Sequence, residues 1–393
     1  MRILTRYVLV ELLVVFLTTL WSLTVFVFLV LVGKEAVENG LGLGPILRML
    51  PYMLPQAMQF AVPGAMLLAT TSVYGRIAAN NEVVAIKSMG ISPLTLVWPA
   101  AALGVVLSFT AVLLNDLAVS WGREGVERVV LESLEEIAYG RLQTLRSFST
   151  DRLQVNVRRV EGKRLIGPII QYADSSGRPD LITADEGVLA ANLQRGAVSV
   201  KLVNADGDLG GWNVVHPGEF ERWFSLAEFM GHEPGSRSPS TYALREIGAA
   251  KAAQRELRAR MRQEMAADAG YALMTGRLSE LSQAAWQPRE QQLAASERTL
   301  HRLHTEPHRR WTNGFSCLGF VLVGAPMAIL MRRGEFWGSF FACFLPILLG
   351  YYPMLVGCVD RAKDGAVPPQ AVWLGNAALA GVGVILLRKV VKH

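Results

Sequence analysis

The sequence has few of the residues and motifs that most enzymes and secreted domains use. It contains three cysteines, and all three lie inside long uncharged stretches, so residues 116–310 have none with which to form a disulfide. No glycine-rich loop ends in Gly-Lys-Ser or Gly-Lys-Thr, which excludes ATP hydrolysis by a P-loop mechanism. There is no H-E-x-x-H pair and no nucleophile elbow. We therefore expect neither an enzyme nor a bound cofactor.

Charge is absent from six long stretches, each about as long as the 20 or so apolar residues that cross a bilayer. A large polar block, residues 116–310, separates the third stretch from the fourth and is long enough to fold on its own. This layout predicts a membrane α + β protein with six transmembrane helices in a 3+3 arrangement. The uncharged stretches are residues 12–33, 49–75, 91–115, 311–331, 336–359 and 366–387.

The distribution of positive charge predicts the orientation. Residues 116–310 hold equal numbers of basic and acidic residues, so the net charge of +6 belongs to the apolar segments and their short loops. By the positive-inside bias, both termini are expected in the cytoplasm and the large block outside. On the predicted inner side, nine cations face three anions: Arg2, Arg6, Arg76, Lys87, Arg332, Arg333, Arg388, Lys389 and Lys392 against Glu11, Glu82 and Glu335.

The polar block divides into a β-rich part and a helical part. Short alternating runs such as residues 153–158 and 197–203 predict strands, and Gly-containing turns, including Glu161-Gly162 and residues 206–208, separate them. Such strands are typical of a sandwich or an open jelly roll, so we expect a β-domain over residues 116–240. Residues 241–310 have a helical period and predict a helical insert, in which Pro288 divides two helices and Pro307 ends the second.

Three histidines of the insert, His301, His304 and His308, recur at i, i+3 and i+7. This spacing is compatible with metal ligands on one helix face. However, Pro307 falls within the array, and no cysteine or paired carboxylate completes a site. The simpler interpretation is a polar helix close to the membrane.

Two cations, Lys34 and Arg48, lie at the outer ends of the first and second apolar stretches. Basic residues at the ends of spans commonly extend their charge to the headgroup level without further function. The alternative is a specific contact with an anionic lipid headgroup.

Residues 76–90, between the second and third apolar stretches, predict a small helix with one central carboxylate, Glu82. A helical period places Glu82 on one face with Ala78, Ala85 and Met89. Gly90 fits the position that caps a helix at its carboxyl end. From spacing alone, Glu82 is either a solvated surface charge or a contact for a soluble partner.

Several motifs resemble the LptF/LptG (YjgP/YjgQ) permeases over nearly the whole chain. The most specific is residues 74–92, Tyr-Gly-Arg-Ile-Ala-Ala-Asn-Asn-Glu-Val-Val-Ala-Ile-Lys-Ser-Met-Gly-Ile-Ser. The other matching segments, in chain order, are Arg6-Tyr7, Leu54-Pro55, residues 62–70, residues 181–187, His308-Arg309-Arg310, Ala325-Pro326, Gly350-Tyr351-Tyr352, Pro368, Trp373 and Asn376.

The resemblance implies a subunit of an ABC transporter that extracts lipopolysaccharide from the bacterial inner membrane. It implies a second LptF/LptG-type permease subunit, a cytoplasmic ABC ATPase dimer and periplasmic jelly-roll bridge proteins as partners. In this family the loop matching residues 76–90 is the coupling helix, so the resemblance assigns ATPase coupling to Arg76, Asn81, Glu82 and Lys87. The outer domain is expected to be a periplasmic β-jelly roll.

Two parts of the chain depart from the family pattern. The helical insert is longer than the family connector, and the loop after the first span does not match, so no family role transfers to the insert or to Lys34. Another class of protein, a membrane-anchored sensor or scaffold with a ligand-binding outer β-domain, remains the alternative, although no stretch long enough for a cytoplasmic output domain is present. A third class, an intramembrane enzyme, is disfavoured because the six uncharged stretches lack the paired carboxylates, histidines or activated nucleophile that it would need.

Overall fold

A computed structural model describes residues 2–39, 43–133, 138–140, 142–143, 146–149, 153–173, 179–192, 197–209, 212–225, 238–277, 283–331 and 336–392. The chain folds into two compact units. One comprises Met1–Phe28, Leu54–Gly122 and Ser238–His393 and is here called the helical unit. The other comprises Leu29–Met53 and Arg123–Arg237 and contains the sheet. The loop cations Arg332 and Arg333 lie outside the described residues.

Helices form along all six uncharged stretches. In chain order the helices are α1 (Arg2–Asn39), α2 (Leu43–Ala79), α3 (Glu82–Ser88), α4 (Leu94–Leu117), α5 (Arg123–Glu132), α6 (Leu244–Thr275), α7 (Gln283–Leu330), α8 (Phe336–Pro346), α9 (Tyr352–Lys363) and α10 (Leu374–Lys392). Single π-helical turns, Ala118–Gly122 and Ile347–Tyr351, join α4 to α5 and α8 to α9. A 3₁₀ turn, Pro369–Trp373, leads into α10.

Five helical segments among the described residues are long and apolar enough to cross a membrane: Ile3–Lys34, Leu94–Val126, Trp286–Leu330, Gly338–Lys363 and Pro369–Lys392. These confirm five of the predicted spans as apolar helices. The sixth stretch, residues 49–75, lies within α2, a continuous helix of 37 residues. Its three prolines, two glutamines and run of threonine and serine dilute its hydropathy, so α2 is not among the five.

Helices α4 and α7 pack against each other as an antiparallel pair with one constant register. The Ser108 hydroxyl accepts a hydrogen bond from the Leu318 amide at 3.3 Å. Gly104 faces Val321, and Gly314 lies so close to the other helix that an added Cβ would meet the Ser108 carbonyl oxygen at 2.9 Å. Small residues that let backbones approach are the usual means of packing helices in lipid, where burial of apolar surface gives no advantage. The glycines therefore set the spacing of this pair.

A buried arginine closes the same helix pair at one end. Arg310 of α7 has no exposed side-chain surface and forms an ion pair with Asp116 of α4 at 3.1 Å. Its Nη2 group donates to the carbonyl oxygens of Ser240 (3.2 Å) and Tyr242 (2.6 Å). The Asp116 carboxylate also accepts a hydrogen bond from the Leu244 amide at 2.7 Å. One charge pair thus joins α4, α7 and the chain entering α6.

The described residues of the second unit form a nine-stranded antiparallel sheet in the order β1-β2-β5-β6-β8-β7-β4-β3, with β9 on β8. The strands are β1 (Ser147–Ser149), β2 (Leu153–Asn156), β3 (Arg159–Glu161), β4 (Arg164–Ile166), β5 (Ile169–Ala173), β6 (Pro179–Thr183), β7 (Glu186–Asn192), β8 (Ala197–Leu209) and β9 (Trp212–Ser225). Alternate side chains such as Val155, Ile170 and Val200 fill one apolar core. The prediction of a β-rich part is confirmed, and its described strands pair antiparallel.

Turn chemistry predicts one of the two turns correctly. Gly162 has φ +63° between β3 and β4, as the Glu161-Gly162 pair indicates. The predicted turn at residues 206–208 lies instead inside β8. This prediction is wrong because Asp206, Gly207 and Asp208 pair with β6 on one side and β9 on the other, and these two ladders override the local preference.

The helical insert is an antiparallel pair formed by α6 and the first part of α7. Its predicted boundaries are wrong at both prolines, since Pro288 and Pro307 lie inside α7. The helix α6 ends instead at Gly276, whose φ is +71°. Each proline removes one backbone hydrogen bond at a cost of about 3 kcal/mol, and the packing of a 48-residue helix against α4, α6 and α10 offsets that cost.

Replacement of Asp116 by alanine tests the role of the buried pair. The variant leaves the Arg310 guanidinium buried without its carboxylate, so we expect a loss of about 3 kcal/mol in unfolding free energy. Thermal unfolding of the detergent-solubilised protein measures this as a lower Tm. The control is Glu256→Ala, which removes the carboxylate of an exposed i,i+4 pair with Arg260 and should change stability by about 0.5 kcal/mol or less. Equal Tm values for both variants would contradict a structural role for the buried pair.

Candidate functional site

The segment containing Glu82 is not one helix. Helix α2 extends to Ala79, a turn at Asn80 and Asn81 follows, and α3 begins at Glu82. Asn81 adopts the left-handed conformation, φ 60° and ψ 16°, which asparagine tolerates better than most residues. The predicted common face is therefore wrong: Ala78 on α2 is buried, whereas Ala85 on α3 is exposed.

The carboxyl end of α3 is closed by a Schellman motif. The Gly90 amide donates to the Lys87 carbonyl at 2.9 Å, and the Ile91 amide donates to the Ile86 carbonyl at 3.2 Å. Gly90 has φ +75°, a conformation in which a side chain would be strained. The predicted capping role of Gly90 is confirmed. The chain then turns through Ser92 and Pro93 into α4.

Helix α3 has one buried face and one exposed face. Val83 and Ile86 are buried in a core cluster that also contains residues of α1, α2, α4, α7 and α10. On the opposite side, Val84 is exposed and Met89 is 65% exposed. The helix is thus fixed below the ends of five longer helices and presents a small apolar surface outward.

Two cations of the segment attach α3 and its neighbours to the rest of the helical unit. Arg76, at the end of α2, forms an ion pair with Glu11 of α1. Lys87 Nζ donates to the carbonyl oxygen of Val390, in the last turn of α10, at 2.6 Å. A cation at the carboxyl end of a helix is favourable because it faces the negative end of the helix dipole.

Glu82 is half-buried, and its carboxylate accepts a hydrogen bond of 3.4 Å from the Asn80 side-chain amide. The four residues Arg76, Asn81, Glu82 and Lys87 therefore lie on one continuous surface segment, here called the α3 surface (residues 76–90). Arg76 and Lys87 hold the α3 surface in place, while Glu82, Val84 and Met89 are its outward groups. Such a combination of a carboxylate and apolar side chains suits contact with a protein.

Lys34 and Arg48 belong to the other unit, near the end of α1 and the start of α2. Both side chains are exposed. The histidines of the insert do not form a metal centre among the described residues, where no group of three metal-ligating side chains occurs. His308 Nδ1 instead accepts a hydrogen bond from Trp373 Nε1 at 3.4 Å, and His304 Nε2 accepts one from Arg255 at 3.3 Å.

Several of the other motif residues meet at the end of the helical unit that contains Arg310. Tyr351 donates to the Asn376 side-chain oxygen at 2.9 Å, and the Asn376 amide donates to the Thr312 carbonyl at 2.9 Å. Together with the hydrogen bond from Trp373 to His308, these bonds join the π-helical turn Ile347–Tyr351, α10 and α7. The motifs that point to a family are thus partly structural, since they supply the polar contacts between helices.

Sequence reasoning missed three partners at these positions: Glu11, Val390 and Asp116. Glu11 and Asp116 were visible as charges at the edges of apolar stretches, which is the signal that could have identified them. Val390 contributes only its backbone carbonyl, so no side-chain pattern could identify it.

The hydrogen bond from Lys87 to the Val390 carbonyl is expected to restrain the end of α10. In Lys87→Met the hydrogen bond to Val390 is lost, so we expect faster trypsin cleavage after Arg388 and Lys389 in the purified protein. Mass spectrometry of the released carboxyl-terminal peptides measures the rate. Ser88→Ala is the control, because the Ser88 hydroxyl bonds to Ala85 within α3. Unchanged cleavage in Lys87→Met would show that the contact does not restrain α10.

Comparison with known protein families identifies the family of this chain. The model of the family described as lipopolysaccharide export system permease LptF/LptG matches residues 6–389, which includes both units and every motif noted above. No curated protein gives a significant match. The match confirms the resemblance drawn from residues 74–92 and the later motifs. The chain belongs to the LptF/LptG family of lipopolysaccharide export system permeases.

Proposed function

We propose that this chain is a transmembrane subunit of an ABC transporter that extracts lipopolysaccharide from the inner membrane and passes it to a periplasmic bridge. The α3 surface carries this proposal, because the family motif coincides with a rigidly held helix that presents a carboxylate and apolar side chains. ATP hydrolysis is supplied by a separate cytoplasmic ATPase dimer. A second LptF/LptG-type permease subunit completes the transporter.

Six spans and cytoplasmic termini belong to the same proposal. The core cluster below α3 includes Val8 near the start of α1, Ile77 near the end of α2 and Val390 near the end of α10. The start of α1 and the end of α2 both lie beside α3. A chain that crosses the membrane in α1 therefore crosses back in α2. This supports α2 as the sixth span despite its lower hydropathy. The cations Arg76, Lys87, Arg388 and Lys389 then lie on the cytoplasmic side, as the positive-inside bias requires.

The α3 surface fits the ATPase as a coupling element. A signal passes between two proteins only if the contact is rigid on the permease side, and α3 is fixed by its buried face, by Lys87 and by the Schellman motif. Glu82 supplies a charged contact and Met89 an adaptable apolar one. Movement of the ATPase would then act on α1, α2, α4, α7 and α10 together.

The sheet is proposed to be a periplasmic jelly roll that receives acyl chains and joins the next domain edge to edge. Its long outer strand β9 (14 residues) pairs only with β8 among the described strands, which leaves one edge of β9 unpaired. An unpaired edge is a template for adding another strand. Moving acyl chains out of a bilayer into water costs about 0.8 kcal/mol per methylene. A second apolar groove would lower this cost, and ATP hydrolysis would supply the remaining free energy.

The role of Glu82 is tested by its replacement with alanine. Membrane insertion should be unchanged because Glu82 is not part of the buried core. We expect ATPase-coupled release of lipopolysaccharide in proteoliposomes to fall about tenfold or more, since a charged interface contact is lost. Glu256→Ala, which removes an exposed carboxylate from the helical insert, is the matched control. Full release activity in Glu82→Ala would remove Glu82 from the coupling contact.

Co-purification tests the proposed partnership directly. The tagged chain is extracted from its own membranes in mild detergent, and the proteins that come with it are identified by mass spectrometry. We expect an ATPase with a P-loop and a second LptF/LptG-type subunit. If the folded chain carries no ATPase, the proposal of an ABC transporter subunit fails and the sensor or scaffold alternative gains support.

A further inference from the structure

The helical insert has more basic residues than its carboxylates can pair. Four carboxylates of α6 and the outer part of α7 are each engaged by an arginine of the same hairpin. The pairs are Glu256 with Arg260, Glu297 with Arg258, Asp268 with Arg289 and Glu306 with Arg309. Lys251 and Arg255 form no ion pair with a carboxylate within the described part of the chain. Arg262, Arg298 and Arg302 likewise form no ion pair within the described residues, so the hairpin as a whole is basic, and Arg255 is the cation among these that contacts a histidine of α7.

Lys251 and Arg255 form a cluster with two histidines of α7. On α6 the two cations are four residues apart and share one face, and on α7 His304 and His308 are also four residues apart. The Arg255 Nη2 group donates to His304 Nε2 at 3.3 Å, which places the two faces against each other. These four residues are here called the cationic patch. Burial and the charge of Arg255 lower the pKa of Lys251, so the two like charges act on each other without a compensating carboxylate.

The patch offers hydrogen-bond donors as well as charge. Because His308 Nδ1 accepts a hydrogen bond from Trp373, its proton is on Nε2, which can donate. Arg255 uses one N–H on His304 and keeps further donors, and Lys251 has three. Lys251, His304 and His308 are half-buried and Arg255 is exposed, so an anion can reach the patch from one side. A phosphate has the negative charge and the acceptor oxygens to match this set.

The patch begins at the height of lipid headgroups and extends a few ångströms beyond it. The apolar part of α7 begins at Trp311, so at 1.5 Å per residue His308 is about 5 Å and His304 about 10 Å beyond it. The headgroup layer extends roughly 5–8 Å beyond the hydrocarbon on each side, so His308 lies within this layer and His304 just beyond it. A free phosphate would have no reason to concentrate at this height, whereas a lipid phosphate is held there.

We infer that Lys251, Arg255 and His308, with His304 holding Arg255 in place, bind the phosphate of an anionic lipid headgroup at the end of the helical unit opposite α3. The site lies on the insert, to which the family resemblance assigns no role. The inference goes beyond the proposed function and does not rest on it, because the patch can bind a headgroup whether or not the chain couples to an ATPase.

Lipid retention tests the inference. The full chain is reconstituted in nanodiscs of phosphatidylcholine with a minor fraction of phosphatidylglycerol, and the lipid that stays bound after extraction is measured by native mass spectrometry. We expect selective retention of phosphatidylglycerol by the unaltered chain. In Lys251→Gln/Arg255→Gln, retention of phosphatidylglycerol should fall about 10- to 30-fold. This is the affinity that two basic residues near an anionic membrane surface contribute to binding. Lys251→Arg/Arg255→Lys keeps both charges and should retain the lipid.

The matched control is Arg260→Gln/Arg289→Gln, which removes the same charge from the same hairpin at arginines that are already paired. It should retain phosphatidylglycerol as the unaltered chain does. Equal loss in the control, or full retention in Lys251→Gln/Arg255→Gln, would overturn the inference. A second arm adds inorganic phosphate to the solubilised chain. Protection of the patch by inorganic phosphate without selective retention of phosphatidylglycerol would overturn the assignment to a lipid headgroup.

Discussion

The buried pair of Arg310 and Asp116 is the constraint on which the helical unit depends. A guanidinium with no exposed surface is tolerated only when its charge is neutralised and most of its donors are bonded; in Arg310 both terminal nitrogens are bonded and Nε is not. Here the acceptors come from Asp116, Ser240 and Tyr242, which are far apart in the sequence. The pair therefore fixes where α4 ends, where the chain returns from the sheet and where α7 enters the membrane. Asp116 also receives the Leu244 amide, so the start of α6 is fixed by the same carboxylate.

Both ends of the helical unit use the same physical device. At one end Lys87 donates to a backbone carbonyl of α10, and at the other Arg310 donates to carbonyls of the chain leading into α6. In both cases a long basic side chain satisfies backbone acceptors that no helix partner reaches. Between the two ends, contacts are mostly apolar and depend on close approach at Gly104 and Gly314, with the Ser108–Leu318 hydrogen bond as a polar exception. Polar contacts thus define the ends of the unit, and shape defines its interior.

The sequence predicts elements better than it predicts their partners. Uncharged runs and alternating strands are local patterns, so the helices, the antiparallel sheet and the Gly90 cap were accessible from the residues alone. The misplaced helix ends at Pro288 and Pro307 and the misplaced turn at residues 206–208 share a cause, because tertiary packing outweighed a local preference of a few kcal/mol. Arg310 and Asp116 are separated by 194 positions, and nothing in the local pattern indicates that they pair. For the α3 surface, the motif located Glu82, but only the fold shows that Arg76 pairs with Glu11 of α1 and that Lys87 bonds to Val390 of α10.

The continuous helix α7 has a mechanical consequence. It is 48 residues long, about 72 Å at 1.5 Å per residue, and reaches from the tip of the insert to the core cluster below α3. Because none of its three prolines interrupts it, α7 can act as a rigid lever whose fulcrum is the Arg310 contact, rather than as two independently moving rods. About 27 residues (about 40 Å) lie on the outer side of that fulcrum and about 20 (about 30 Å) on the inner side, so the outer arm is longer by about a third. A tilt of a few degrees would therefore displace the two ends by a few ångströms in opposite directions, the outer end by the larger distance.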